Sequence, residues 1–85
     1  MEELYKIIEE KIAASGYPFK IDGEEFYNDV SDEVDTKDNG SYIMLIKKND
    51  ALFYECGIDI LDSNFDLHYA DIHMGDKVYH VDFDA

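Results

Sequence analysis

Ser41-Tyr42-Ile43-Met44-Leu45-Ile46-Lys47-Lys48-Asn49-Asp50-Ala51-Leu52-Phe53-Tyr54-Glu55-Cys56-Gly57-Ile58-Asp59-Ile60 decides the fold, because two runs rich in β-branched and aromatic residues flank the turn-forming pair Asn49-Asp50. The spacing predicts strands over Tyr42–Lys48 and Ala51–Ile60 joined as a tight hairpin. Downstream, Asp62-Ser63-Asn64 and Gly75-Asp76 supply two more turns, so the second half of the chain reads as a four-stranded antiparallel meander.

Upstream the period changes. Leu4, Ile7, Ile8 and Ile12 recur at helical spacing and leave Glu3, Lys6, Glu9 and Glu10 facing water, which predicts a helix from Glu2 to Ala14, stopped by Gly16 and Pro18. Asp22-Gly23-Glu24-Glu25 offers a capping carboxylate with a glutamate three positions on, the start of a second helix in which Phe26, Val30 and Val34 share one face. The expected fold is therefore α+β over residues 1–85 as a single domain, in the order α-α-β-β-β-β, with two N-terminal helices packed on one face of the meander.

Turn lengths assign faces, because a slip of one residue sends every side chain of a strand to the other side. Two-residue loops at Asn49-Asp50 and Gly75-Asp76, with an odd-length loop around Ser63, place Ile43, Leu45, Leu52, Tyr54, Cys56, Ile58, Ala70, Ile72, Tyr79, Val81 and Phe83 in the core. The opposite face then collects Glu55, Asp59, Asp71, His73, His80 and Asp82, with Tyr42, Met44, Ile46, Phe53 and Tyr69 as an apolar and aromatic patch. His68 falls on the core face near Ile58 and Phe83, where a histidine with one hydrogen-bond partner is expected.

The charge restricts function more than any motif does. Twenty-one acidic residues against 7 lysines give a net charge of −14, a field that repels nucleic acid and anionic membranes and attracts basic proteins. Direct nucleic-acid binding is excluded on the same ground, since Lys47-Lys48 is the one adjacent basic pair. No apolar run approaches the length that crosses a bilayer as a helix. Glu2-Glu3 stands where a leader would be basic and apolar, and a lone Cys56 cannot form an internal disulfide, so a cytoplasmic protein is expected.

Catalytic and cofactor chemistry finds little support in the residue pattern. Glycines 16, 23, 40, 57 and 75 are scattered among turns, caps and a strand bulge rather than gathered into a phosphate loop, and no cofactor is expected. Asp32, Asp35 and Asp38 before Asn39-Gly40 do not match the twelve-residue calcium loop. Asp71 lies across from His80 with His73 and Asp82 diagonal to them, a geometry open to a metal, but abundant aspartates make cross-strand ion pairs of a solvated face the better explanation and no metal is expected. Cys56 reads as a small buried hydrophobe, because the surrounding acidity opposes a reactive thiolate.

A binding function is what remains, and an enzyme is not expected. Carboxylates spaced along a helix and a sheet can take the places of backbone phosphates and compete for the basic groove of a nucleic-acid-binding enzyme. In that reading Glu24, Asp29, Asp32, Glu33, Asp35, Glu55, Asp59, Asp71 and Asp82 supply the field, and Tyr42, Phe53 and Tyr69 the apolar anchors. Size and charge of this kind are shared by anti-CRISPR and anti-restriction nucleic-acid mimics and by nuclease immunity proteins. The alternative is a small homo-oligomeric structural or interaction domain, with a homodimer through the outer sheet face as one form and the charge serving solubility, and a metal-dependent enzyme ranks third.

Overall fold

The computed structural model describes residues 2–62 and 64–84. Six elements follow one another: α1 (Glu2–Ala14), α2 (Gly23–Val34), β1 (Gly40–Lys47), β2 (Leu52–Leu61), β3 (Asn64–Met74) and β4 (Lys77–Asp82). The strands pair antiparallel in the order β1-β2-β3-β4, and both helices pack on one side, as the sequence predicts.

Local chemistry explains the helix boundaries. The Asp22 carboxylate accepts from the Glu24 N–H at 2.9 Å and satisfies an orphan donor of α2. Glu9 reaches across from α1 to accept from the Gly23 N–H at 2.8 Å, so a residue expected to face water ties the two helices together. The helices approach so closely there that a Cβ on Gly23 would lie 2.1 Å from the Tyr5 carbonyl oxygen, which only glycine permits.

The core lies between the helices and the inner face of the sheet. Ile8 and Ile12 of α1 and Phe26, Val30 and Val34 of α2 are buried against Tyr54, Cys56, Ile58, Ile60, Ala70, Ile72 and Val81. Phe26 is fully buried, with its ring 5.2 Å from Tyr54 and 6.1 Å from Phe83. Burial of such a side chain contributes about 1.5–3 kcal/mol.

Two features depart from the expected register. At the first hairpin the Lys48 N–H donates to the Leu52 carbonyl, and the Ala51 N–H donates to the Asn49 side chain, both at 2.9 Å. The asparagine thereby draws Ala51 into a three-residue loop, Asn49-Asp50-Ala51, where Asn49-Asp50 alone was expected. The extra residue flips β1. Met44 and Ile46 are buried and Tyr42 packs against the core, while Ile43 and Leu45, expected inside, stand 70% and 63% exposed.

At the second hairpin, Leu61 pairs with Asn64, so the odd-length turn does not form as drawn, and Ser63 lies outside the described residues. Asp62 adopts φ 51° and its N–H donates to Asn39 Oδ1. Ile58 accordingly lies opposite Leu67 rather than His68, and a β-bulge between Gly57 and Ile58 then restores the expected pairing, with Gly57 opposite Tyr69. His68 is the inserted residue. It leaves the core face assigned to it and bonds Asp59 and Asp84 instead.

Candidate functional site

With the helices on one side, the other side of the sheet is open, and the strand register lays its residues out in rows. Phe53 lies between Lys47 and His73, and His73 lies beside Val78; in the next row Leu45, Glu55, Asp71 and His80 follow one another. A third row runs Ile43, Gly57, Tyr69, Asp82, and a fourth begins Ser41, Asp59, Asp66.

Two carboxylate pairs therefore face each other across strands, Glu55 with Asp71 and Asp59 with Asp66. Like charges directly opposite destabilise a sheet, and each pair has acquired partners that lessen the cost. The Tyr69 hydroxyl donates to Glu55 Oε2 at 3.2 Å, and His80 Nδ1 sits 2.5 Å from Asp71 Oδ1. The Tyr69 ring lies over Gly57 and stacks with His80 at 5.7 Å, so the ring, the glycine and both carboxylates form one unit. Burial and the neighbouring Glu55 push the Tyr69 phenol up from its ordinary pKa.

The other pair is held by a chain of hydrogen bonds. Ser41 Oγ donates to Asp59 Oδ1 at 2.5 Å, His68 Nε2 lies 2.8 Å from Asp59 Oδ2, and His68 Nδ1 lies 2.8 Å from Asp84 Oδ2. Hydrogen bonds to the two carboxylates raise the His68 pKa, and the Ser41 hydroxyl followed by His68 lowers that of Asp59. The clamp fastens the segment after β4 to β1, β2 and β3, helped by the Phe83 N–H donating to the His68 carbonyl at 3.0 Å.

Apolar groups cross the same face. Phe53 and His73 stack at 4.3 Å with ring planes 7° apart, Val78 is exposed in the same row, and Leu45 and Ile43 are exposed in the next two rows. His73 Nε2 is shut from solvent without a hydrogen-bond partner. His73 thus stays with Phe53 while Asp71 engages His80, and Asp82 lies a row away. Among the described residues no three His, Cys, Asp or Glu side chains converge to hold a metal. Cys56 is buried on the far side of the sheet, its thiol pushed up to about 12 by burial and then by Asp71 and Glu55.

The expected partner-binding residues thus divide between two surfaces. Glu55, Asp59, Asp71, Asp82, Phe53 and Tyr69 come together on the open face. Glu24 and Asp32 are exposed and Glu33 half-buried on α2, and Asp35 is exposed at its C-terminal cap, across the sheet. Asp29 is neutralised by Lys48 Nζ at 2.6 Å, which also meets Glu25 at 3.0 Å. Tyr42 belongs to the helix side, with Lys37 Nζ 5.5 Å from its ring centre, and leaves the expected anchor set. Ile43, Leu45, Val78 and His68 join the open face. Ile43, Leu45 and His68 were missed because a loop one residue longer and a bulge decide where they point.

No helix among the described residues is long and apolar enough to cross a membrane. Comparison with protein-family models, curated proteins and solved structures finds no match to this chain.

Proposed function

We propose that this chain is an acidic inhibitor that docks the open face of its sheet on the basic, nucleic-acid-binding groove of an enzyme and blocks it. The observation that carries this reading is the placement of acidic residues directly opposite one another across strands, Glu55 with Asp71 and Asp59 with Asp66, on the face the helices leave uncovered. Opposed carboxylates cost folding energy that a basic partner refunds on docking, since each lysine or arginine it inserts relieves a repulsion already present.

The division of roles follows from the layout. Glu55, Asp59, Asp71 and Asp82 steer association and occupy positions that phosphates take in the blocked groove. Phe53, Ile43, Leu45 and Val78 provide the apolar contact that lengthens residence. The acidic face of α2 adds to the long-range field from the far side of the sheet.

A second reading, in which a copy of the chain covers the face, is favoured by the exposure of Ile43 and Leu45. Face-to-face stacking, however, would set two grids of carboxylates against each other on chains of net charge −14.

Capture from cell lysate at low salt, followed by a salt gradient and mass spectrometry, tests the reading. A basic nucleic-acid-handling enzyme should elute at moderate salt, be displaced by duplex or single-stranded nucleic acid, and be lost when Glu55→Gln and Asp71→Asn are combined. An empty eluate, or a partner indifferent to salt and to nucleic acid, overturns it.

A further inference from the structure

The outer edge of β1 is built unlike the other edge of the sheet. The order β1-β2-β3-β4 pairs β1 on one side, and among the described residues nothing pairs with its other side. Lys48 N–H donating to the Leu52 carbonyl at 2.9 Å marks Lys48 and Leu52 as a closely spaced pair, and in an antiparallel ladder such pairs recur at every second residue. The peptides of Gly40, Tyr42, Met44 and Ile46 therefore turn toward β2. Those of Ser41, Ile43, Leu45 and Lys47 point outward.

Sheet edges are ordinarily protected by charge, proline, bulges or shortness. β4 follows that rule, with 6 residues that include Lys77 and Asp82. β1 does not: its 8 residues contain no acid and no proline, and its register with β2 runs without a bulge. On a chain of net charge −14, this is an edge that a second copy can approach without meeting a carboxylate head-on.

We propose that β1 pairs antiparallel with β1 of a second copy of this chain, about a two-fold axis through Met44, to join two sheets into one. In that register Ser41 faces Lys47 of the second copy and Ile43 faces its Leu45. All four outward residues of each chain are then used, for about eight new N–H···O bonds at two per closely spaced pair. Moving the axis to Ile43 or Leu45 sets an outward residue against the loop beyond the strand.

Side-chain chemistry selects the same register. Lys47 of the second copy arrives beside Ser41, whose cross-strand neighbour and hydrogen-bond acceptor is Asp59, so a cation meets a carboxylate at both ends of the seam. Lys47 now lies 3.5 Å from Asp50, an exposed contact that is readily exchanged. Ile43 and Leu45 become apolar cross-strand pairs at the centre. The carboxylate rows of both copies stay uncovered on either side of that centre, so the pairing is independent of the inhibitor reading and compatible with it.

Analytical ultracentrifugation of the full chain alone, from low micromolar to submillimolar protein at physiological salt, decides the matter. The mass should rise from 9.9 kDa toward twice that value. Ile43→Pro removes an outward N–H at an edge that tolerates proline, and Leu45→Asp sets carboxylates into the seam; both should stay monomeric with unchanged circular dichroism. Lys47→Glu should weaken the dimer about tenfold, the change expected when an attraction at each end becomes a repulsion. A wild-type monomer at every concentration overturns the proposal and leaves the edge for a strand of another protein. So does a dimer that persists in Leu45→Asp. Since no partner protein is present, neither failure bears on the docking of the open face.

Discussion

Replacing Gly57 by alanine tests whether the Tyr69 ring is what organises the open face. A Cβ built there would stand 2.2 Å from Tyr69 Cε1, 2.7 Å from Cδ1 and 3.0 Å from Cζ, so the ring must move by more than about 1 Å to reach ordinary contact. That displacement breaks the hydrogen bond to Glu55 at 3.2 Å and the stack on His80 at 5.7 Å. The first loss is worth about 0.5–1.5 kcal/mol and the second a similar amount. Against them, alanine in place of glycine restricts the unfolded chain and returns about 0.4–1 kcal/mol. The net cost is about 1 kcal/mol, or roughly 4–8 °C in melting temperature for a domain of this size. Thermal unfolding of Gly57→Ala, Tyr69→Ala and the double variant forms a cycle. In the Tyr69→Ala background, Gly57→Ala should raise the melting temperature, because no ring remains to displace. Additive effects, or a Gly57→Ala single variant more stable than the parent, would refute the idea that glycine and tyrosine form one unit.

The His68 clamp makes stability depend on pH. Its raised pKa means that the contribution is complete below the unfolded value near 6.5 and is lost as pH rises through the higher folded value, while the lowered pKa of Asp59 removes its contribution as pH falls below 3.8. Melting temperature should therefore fall above pH 6.5 in the parent and less so in His68→Gln; identical profiles from pH 6 to 9 would dismiss the clamp. Lys48 holds α2 to the end of the first hairpin, with its side chain 23% exposed and that of Asp29 27%. Lys48→Met should cost about 1–2 kcal/mol, discounted for partial solvent screening, and an unchanged denaturation midpoint in urea would show that the helix docks without it.

How far the sequence specifies the fold can be read strand by strand. β2, β3 and β4 alternate apolar with charged residues, as in Tyr54-Glu55-Cys56 and Ala70-Asp71-Ile72, so between the bulge at Gly57 and the last hairpin one register buries the right side chains and the faces follow. Tyr42-Ile43-Met44-Leu45-Ile46 is apolar at every position. Its pattern names a strand but not a face, and the decision passes to the loop, where the Asn49 side chain captures the Ala51 N–H. The bulge that carries His68 outward is likewise a backbone event with no periodic signature beyond the presence of Gly57. Glu55, Asp71 and Tyr69 were legible as neighbours because they lie on the alternating strands. Asp29 and Tyr42 were not, since the Lys48 contact and the flipped β1 both depend on the same extra loop residue.

That one residue also shapes what the surface can do. Had Ile43 and Leu45 turned inward, Tyr42, Met44 and Ile46 would line the β1 side of the open face in their place, and Lys48 would turn away from Asp29. With them turned outward, the β1 side of the face is apolar and the rows beyond it are acidic. The core loses nothing by the exchange, because Met44 and Ile46 fill the places that Ile43 and Leu45 vacate. The buried core thus lies on the helix side of the sheet, and under the proposed reading the residues exposed on the other side serve association. Salt separates fold from docking, since screening relieves the repulsion between Glu55 and Asp71 within the fold and should weaken the attraction of the same carboxylates for the proposed basic partner. Charge kept for solubility alone would not need to be arranged as opposed pairs beside an apolar stripe; dispersed carboxylates serve that end at lower cost.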